Sequence, residues 1–256
     1  MFNLDIRKEL KDFTSAVKTL SFKEVFIFMS VAFITFVSMH YATPFFFRSN
    51  FETGDNKFYS TLYWFSADGF LMCIVPLIFI ITFLKSKPAE FGFRLGDYKF
   101  GIASYLLFLV IMIPVIWVVS GNETFAKAYP QAGARVRANM SVLLYYELFV
   151  GFYMFAWEFF WRGYMLFGLK NKFGYYSIFI QMIPFFILHH GKPELETFSS
   201  IFAALILGIQ AWRSNSFIYC FLTHWSVMIF VDSISVLRFQ SGSYGIGPDS
   251  FLKLFQ

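Results

Sequence analysis

The chain has 256 residues, of which 57% are hydrophobic, 23% are aromatic and only 14% are charged. Soluble domains carry about 25% charged residues, so this composition excludes an ordinary soluble protein and indicates a polytopic membrane protein. The net charge of +5 does not indicate nucleic-acid binding, because the lysines and arginines cluster between apolar runs, as membrane loops require.

The N-terminal segment, residues 1–23, carries five lysines and arginines with apolar residues between them. This pattern predicts an amphipathic helix that lies on the inner face of the membrane, with a solvated helix as the alternative. The membrane region follows at residues 24–236. Its apolar runs have approximate bounds of 24–47, 59–84, 100–119, 141–169, 175–190, 197–212 and 216–236. The prediction is an all-α bundle of about seven transmembrane helices, followed by a polar C-terminal tail at 237–256.

Charge in the loops predicts the orientation of the bundle. If the N-terminus is cytoplasmic, the inner segments hold twelve lysines and arginines and the outer segments hold eight. Cytoplasmic loops carry the excess of these residues, so we expect the N-terminus inside and the C-terminus outside.

The fourth apolar run contains an acid and a base, Glu158 and Arg162, four residues apart. Charged side chains inside a membrane helix are unfavourable and mark a functional site by default. With the acid on the N-terminal side, this spacing places both heads on one helix face, close enough to pair. A purely structural ion pair that fixes the helix in its bundle is an equal alternative.

Two histidines lie at comparable depth in other runs. At about 1.5 Å per residue, Glu158, His189 and His224 lie about 16, 21 and 12 Å from the inner face of a core about 30 Å thick. One carboxylate and two imidazoles therefore converge near mid-membrane. Such a set suits zinc, and it equally suits a glutamate that activates water while histidines polarise a carbonyl. A single histidine in an apolar helix is more often a packing residue with a satisfied hydrogen bond.

Three further acids lie in the apolar runs. Asp232, near the outer end of the seventh run, is more often an end-of-helix residue than a ligand. Glu147 is expected at the interface, and Asp68 has no motif partner, although an intramembrane acid is a candidate by default.

These residues resemble the CPBP family, the CAAX proteases and bacteriocin-processing (Abi) enzymes, which are intramembrane metalloproteases. The family motifs are Glu-Glu-x-x-x-Arg, Phe-x-x-x-His, and His-x-x-x-Asn or Asp. Glu158 and Arg162 match the second Glu and the Arg of the first motif, His189 ends the second, and His224 begins the third. The resemblance covers about residues 85–235.

The sequence departs from the family pattern at two positions. Trp157 stands where the family has its first Glu, the residue usually assigned as catalytic, and Met228 stands where it has Asn or Asp. Asp232, one helical turn further on, is a possible replacement for the missing polar group, and His190 for His189. Either Glu158 takes the catalytic role, or the protein is an inactive relative.

The resemblance implies a metal-dependent endopeptidase that cleaves a membrane-associated peptide or protein entering from the cytoplasmic side or laterally. Glu158 would activate water, Arg162 would orient Glu158, and His189 and His224 would bind the metal or polarise the scissile carbonyl. The implied metal ligands are Glu158, His189 and His224, with zinc as the expected divalent metal. The additional binding residues are His190, Asp232 and Glu196.

Two other functions remain open at this point. A catalytically inactive relative would act as a peptide-binding or immunity protein, which the replacements at positions 157 and 228 favour. A small proton-coupled carrier also needs a buried acid and histidines, but no paired inverted repeat or doubly broken helix is evident. The expected partners are a peptide and the lipid bilayer, without nucleic acid. The resemblance and the short loops point to a bacterial inner membrane.

Overall fold

The computed structural model describes residues 5–51 and 54–254, and their regular structure is helical without strands. The ends of the predicted N-terminal segment and of the predicted tail, residues 1–4 and 255–256, lie outside the described residues. The helices are, in chain order, α1 Ile6–Val17, α2 Phe22–Tyr41, α3 Pro44–Asn50, α4 Asn56–Gly69, α5 Val75–Thr82, α6 Tyr98–Ser120, α7 Glu123–Ala128, α8 Ala134–Ala138, α9 Met140–Glu158, α10 Gly168–Phe173, α11 Tyr176–Ile187, α12 Glu194–Ser214, α13 Ile218–Ser241 and α14 Pro248–Lys253.

The membrane-spanning helices confirm the predicted class. Within the described residues, six helical runs are long and apolar enough to cross a membrane: Phe22–Tyr41, Asn56–Thr82, Tyr98–Ser120, Met140–Phe173, Glu194–Ser214 and Ile218–Ser241. A seventh apolar helix, α11, is shorter. The chain is an integral membrane protein with a helix bundle of about seven apolar helices and an additional N-terminal helix.

Helix α1 has the amphipathic character expected from the sequence. The Asp5 carboxylate accepts hydrogen bonds from the backbone N–H groups of Arg7 and Lys8 and so begins the helix. Ile6, Leu10 and Phe13 are exposed, and their spacing places them on one face. An exposed apolar stripe beside basic residues is typical of a helix that lies in the membrane interface.

The connections between helices gather at two ends of the bundle. At the near end, which carries α1, Asp97 N–H donates to the Ser214 carbonyl at 2.7 Å and Lys172 Nζ donates to the Thr19 carbonyl at 2.7 Å. At the far end, Gly245 N–H donates to the Gly121 carbonyl at 2.9 Å. Successive long helices therefore run in alternating directions between the two ends.

The first predicted span is shorter than expected. The apolar run at 24–47 predicted one helix, but α2 ends at Tyr41 and α3 begins at Pro44. The Thr43 hydroxyl accepts from the Phe46 N–H at 3.1 Å, and proline is favoured at the first position of a helix. Thr43 followed by Pro44 is thus a signal for the start of a new helix, which the apolar composition of the run did not indicate.

The C-terminal segment packs against the bundle. Helix α13 continues to Ser241, beyond the predicted end at 236. The buried Arg238 guanidinium donates to Ser120 Oγ at 3.0 Å and to the carbonyls of Gly245 and Trp117 at 2.8 and 3.1 Å. These bonds fasten the segment after α13 to the end of α6.

Helices α6 and α13 approach closely at Gly101, which gives the first prediction. A Cβ atom at this position would lie 2.3 Å from the Tyr219 ring, whose hydroxyl donates to the Leu95 carbonyl at 2.8 Å. Overpacking of this kind destabilises by about 1–3 kcal/mol. We expect Gly101→Val to lower the thermal unfolding midpoint in detergent. Gly54→Val should leave the midpoint unchanged, because nothing lies within 4 Å of the added Cβ. If the two variants had the same midpoint, the close packing of Gly101 against Tyr219 would be contradicted.

Candidate active site

The acid and the base predicted to pair in the fourth span do so. Arg162 Nη1 lies 3.1 Å from both carboxylate oxygens of Glu158, and both side chains are 0% exposed. The Arg162 guanidinium also lies over the Phe185 ring, 4.1 Å from its centroid, which adds a cation–π interaction. Because an unpaired charge inside the bundle is strongly unfavourable, the two side chains depend on each other.

Glu158 has a further partner on another helix. His224 Nδ1 lies 2.7 Å from Glu158 Oε1, which joins α13 to the end of α9. The carboxylate fixes the imidazole so that Nε2 is its remaining nitrogen. Glu158, Arg162 and His224 therefore form one contact cluster, whereas the convergence predicted from the sequence was that of Glu158, His189 and His224.

The backbone changes its winding at this cluster. Glu158 is the last residue of α9, and residues Phe159–Phe167 form a π-helix whose side chains are all buried. Segments of π-helix are uncommon and occur often at functional sites. Arg162 lies within this segment and still reaches back to Glu158.

His189 lies just beyond α11, on a non-helical segment. Its Nδ1 lies 2.8 Å from the Phe185 carbonyl. Helix α11 has 12 residues, which span about 18 Å and leave it short of the roughly 30 Å hydrocarbon core. Residues 188–193 therefore connect α11 to the start of α12 as irregular backbone, and they line a cavity.

A cavity of about 450 Å³ brings the two histidines together. His189, His190, His224 and Glu196 line it, together with aromatic and apolar side chains from α4, α9 and α13. Glu158 and Arg162 lie behind its wall and are not among its lining residues. The predicted site residues thus divide into a group that faces the cavity and a buried pair that supports one of its histidines.

The two departures from the family motifs are both wall residues of the cavity. Trp157 and Met228 line it. The Trp157 ring contacts the His189 ring edge to face, with 5.9 Å between centroids, and it packs in the same way on Trp161. An indole therefore faces the cavity at the position of the family's first Glu, while Glu158 lies behind the wall in contact with His224.

Glu196 holds the cavity together near its opening. The Tyr129 hydroxyl donates to the Glu196 carboxylate, and Lys192 Nζ lies 3.4 Å from Glu196 Oε1. Burial raises the pKa of Tyr129 well above its usual value, so the hydroxyl keeps its proton and remains a donor. Tyr129 carries no motif signal and was not predicted from the sequence. The i,i+4 spacing of Lys192 and Glu196 could have predicted their ion pair.

Asp232 does not join the cavity. It is 0% exposed, is not among the described lining residues, and neither of its carboxylate oxygens has a hydrogen-bond partner among the described residues. Asp232 therefore does not replace the missing polar group at position 228 in the cavity wall. Glu147 is buried inside the bundle, at 8% exposure, and its position at the membrane interface stays a prediction.

The predicted metal site requires Glu158, His189 and His224 to share one ion. In the part of the chain that the structure describes, no group of three His, Cys, Asp or Glu side chains could hold a metal ion. Both oxygens of Glu158 face Arg162, and one of them also faces His224. This donor set does not fit a three-ligand centre. Zinc binding stays a prediction.

Among the described residues, a bundle of membrane-crossing helices encloses a mostly apolar and aromatic cavity, and a buried carboxylate–guanidinium–imidazole cluster lies at its wall. Residues 137–230, 94 of the 256, match the family model described as Type II CAAX prenyl endopeptidase Rce1-like. The match confirms the resemblance to the CPBP family of CAAX proteases and includes the first, second and third motifs. No curated protein and no solved structure matches the chain. At family level, residues 137–230 are similar to a CAAX-type intramembrane protease.

Proposed function

We propose that this chain is a peptide-binding member of the CAAX protease family that holds a peptide segment in its cavity without hydrolysing it. One observation carries the proposal: Trp157, not a carboxylate, faces the cavity beside His189. Hydrolysis of a peptide needs a base that reaches a water molecule next to the scissile carbonyl. Glu158 is 0% exposed and engaged by Arg162 and His224, so it does not supply that base.

The cavity has the properties that peptide binding requires. Its volume of about 450 Å³ lies within the usual range for ligand sites, which are mostly apolar with a few placed polar groups. Trp64, Tyr153 and Trp157 supply flat apolar walls. The Nε2 atoms of His189 and His224 are the nitrogens not held by neighbours. They can bond to the backbone groups of an extended peptide.

Hydrolysis is the second candidate, and one specific contact favours it. Glu158 accepts the Nδ1–H of His224, which orients the imidazole and makes Nε2 a base. In this arrangement a water proton passes to His224 Nε2 as the water oxygen attacks the peptide carbonyl, and the imidazolium then gives that proton to the leaving amine as the C–N bond breaks. His189 gives its one N–H, at Nδ1, to the Phe185 carbonyl, so its Nε2 can only accept a hydrogen bond from the peptide. Glu158 and Arg162 then act as positioning residues.

One experiment separates the two candidates. Purified protein is titrated with fluorescently labelled peptides to measure Kd, and the same peptides in quenched form report cleavage. We expect binding without product, and a 2- to 10-fold weaker Kd for His189→Ala and for His224→Ala, since one hydrogen bond contributes about 0.5–1.5 kcal/mol. His40→Ala is the matched control. Like His189, His40 has its Nδ1 atom 2.8 Å from the backbone carbonyl four residues earlier, but it is not among the residues that line the cavity.

Three results would contradict the proposal. Product released by the wild-type protein and abolished in His224→Ala would establish the second candidate. Stoichiometric zinc that is lost in both histidine variants would restore the metalloprotease prediction. Ion flux in proteoliposomes that depends on Glu158, without peptide binding, would indicate a carrier.

A further inference from the structure

The opening of the cavity lies at the far end of the bundle. The exposed side chains that line the cavity, such as Arg48, Lys57 and His190, come from α3, the start of α4 and the segment after α11. All of these belong to far-end connections. Among the described lining residues, none comes from the near-end connections at 83–97, 174–175 or 215–217. The cavity therefore opens opposite to α1.

The cavity runs deep from this opening. His224 lies 17 residues before the far end of α13 at Ser241, a distance of about 26 Å along the helix axis. Met228, one turn closer to the opening, also lines the cavity. A ligand that reaches His224 must therefore pass from the far face of the membrane through more than half of the bundle.

The opening carries an excess of positive charge. Arg48 and Lys57 are exposed there. Glu196 is the one carboxylate among the described lining residues, and Tyr129 and Lys192 already engage it. The Lys57 stem packs over Gly133, where an added Cβ would lie 2.9 Å from Lys57 Cδ.

Two of the cavity's cations therefore have no carboxylate partner among the described residues. Neither Arg48 nor Lys57 takes part in an ion pair there. Arg48 instead donates to Ser60 Oγ at 3.3 Å. Fixed cations at the mouth of a low-dielectric cleft attract an anionic group on the ligand.

The distribution of lysines and arginines indicates on which side of the membrane the far end, and so the cavity opening, lies. The twelve lysines and arginines of the inner segments lie at the near end, and the eight others lie at the far end. Of those eight, Lys127, Arg135 and Lys192 form ion pairs with Glu123, Asp55 and Glu196, and Arg238 is buried. Lysines and arginines are more numerous at the near end, which by the positive-inside rule is cytoplasmic.

We propose that the cavity receives its peptide from the non-cytoplasmic side, and that the peptide presents an acidic side chain to Arg48 and Lys57 while its apolar residues enter the aromatic interior. This inference rests on the proposed peptide-binding function. It replaces the expectation that a substrate enters from the cytoplasmic side or laterally.

The entry side is tested by cysteine labelling in intact cells. Lys57→Cys should react with a membrane-impermeant maleimide without permeabilisation, while Lys87→Cys, exposed at the near end, should react only afterwards. The wild-type protein is the blank, because Cys73 and Cys220 are buried. The opposite labelling pattern would overturn the proposed side, whatever the peptide measurements show.

The charge preference is tested with two peptides that differ only in glutamate against glutamine. The double variant R48Q/K57Q should weaken binding of the glutamate peptide by roughly 3- to 10-fold and leave the glutamine peptide unchanged. K127Q/K253Q removes the same charge from the far end outside the cavity lining and should change neither Kd. Equal binding of both peptides to the wild-type protein would overturn the charge preference alone, whereas binding of neither would overturn the peptide-binding function.

Discussion

Alanine in place of Glu158 should lower the free energy of unfolding by about 3–5 kcal/mol, because it leaves a buried guanidinium without its carboxylate. Arg162 is 0% exposed, and the Glu158 carboxylate is the acid that pairs with it. The same substitution also frees His224 Nδ1, which loses its acceptor at 2.7 Å. We therefore expect Glu158→Ala to accumulate poorly in membranes and to unfold early in detergent, as measured by circular dichroism against temperature.

A double variant distinguishes this explanation from a general packing defect. Glu158→Leu combined with Arg162→Met removes both charges and keeps apolar volume in the wall. Replacing a whole buried pair by apolar residues is often neutral. The double variant should therefore be more stable than either single variant. If the double variant loses as much free energy of unfolding as the two single variants together, the ion pair does not stabilise these side chains in the bundle.

This prediction also governs how activity data are interpreted. A variant of Glu158 that loses peptide binding or cleavage has lost a structural partner of two other residues. Such a loss assigns a chemical role to Glu158 only if the variant unfolds at the wild-type temperature. Glu158→Gln, which keeps the shape and one acceptor oxygen, is the appropriate comparison.

Much of the arrangement around Glu158 follows from the sequence. The i,i+4 spacing fixes the pairing with Arg162, because side chains four residues apart lie on one helix face. The order and depth of the three histidine and carboxylate positions predicted that His189 and His224 would share a site. The helix bundle follows from the apolar runs, since the bilayer allows few alternatives to complete helices.

The sequence could not reveal which of two adjacent positions faces the cavity. Neighbouring residues on a helix differ in direction by about 100°, so Trp157 and Glu158 cannot both line one wall. The choice is made by the rotation of α9, which depends on its packing against other helices. The pairing of Tyr129 with Glu196, 67 residues apart, likewise depends on how the far-end connections meet. Neither feature has a local sequence signal.

Restoring the family residues should create a hydrolase. In the variant W157E/M228N a carboxylate replaces the indole that faces the cavity, and an amide replaces the thioether one turn from His224. A placed general base accelerates reactions by about 10²- to 10⁴-fold. We therefore expect the cleavage rate of bound quenched peptides to rise by about that factor over the wild-type protein, measured with and without added zinc.

The control W157Q/M228N has nearly the same shape without a base, so it should bind the same peptides and leave them intact. Both variants need the wild-type unfolding temperature in detergent, because a new carboxylate enters a wall that is now aromatic. Equal cleavage by the two variants would place the base elsewhere, at His224 or Glu158. Binding without cleavage in the folded glutamate variant would show that Trp157 is not what separates this cavity from a protease. A gain confined to the glutamate variant would locate the missing chemistry at one residue, because Arg162, Glu158 and both histidines are already in place around it.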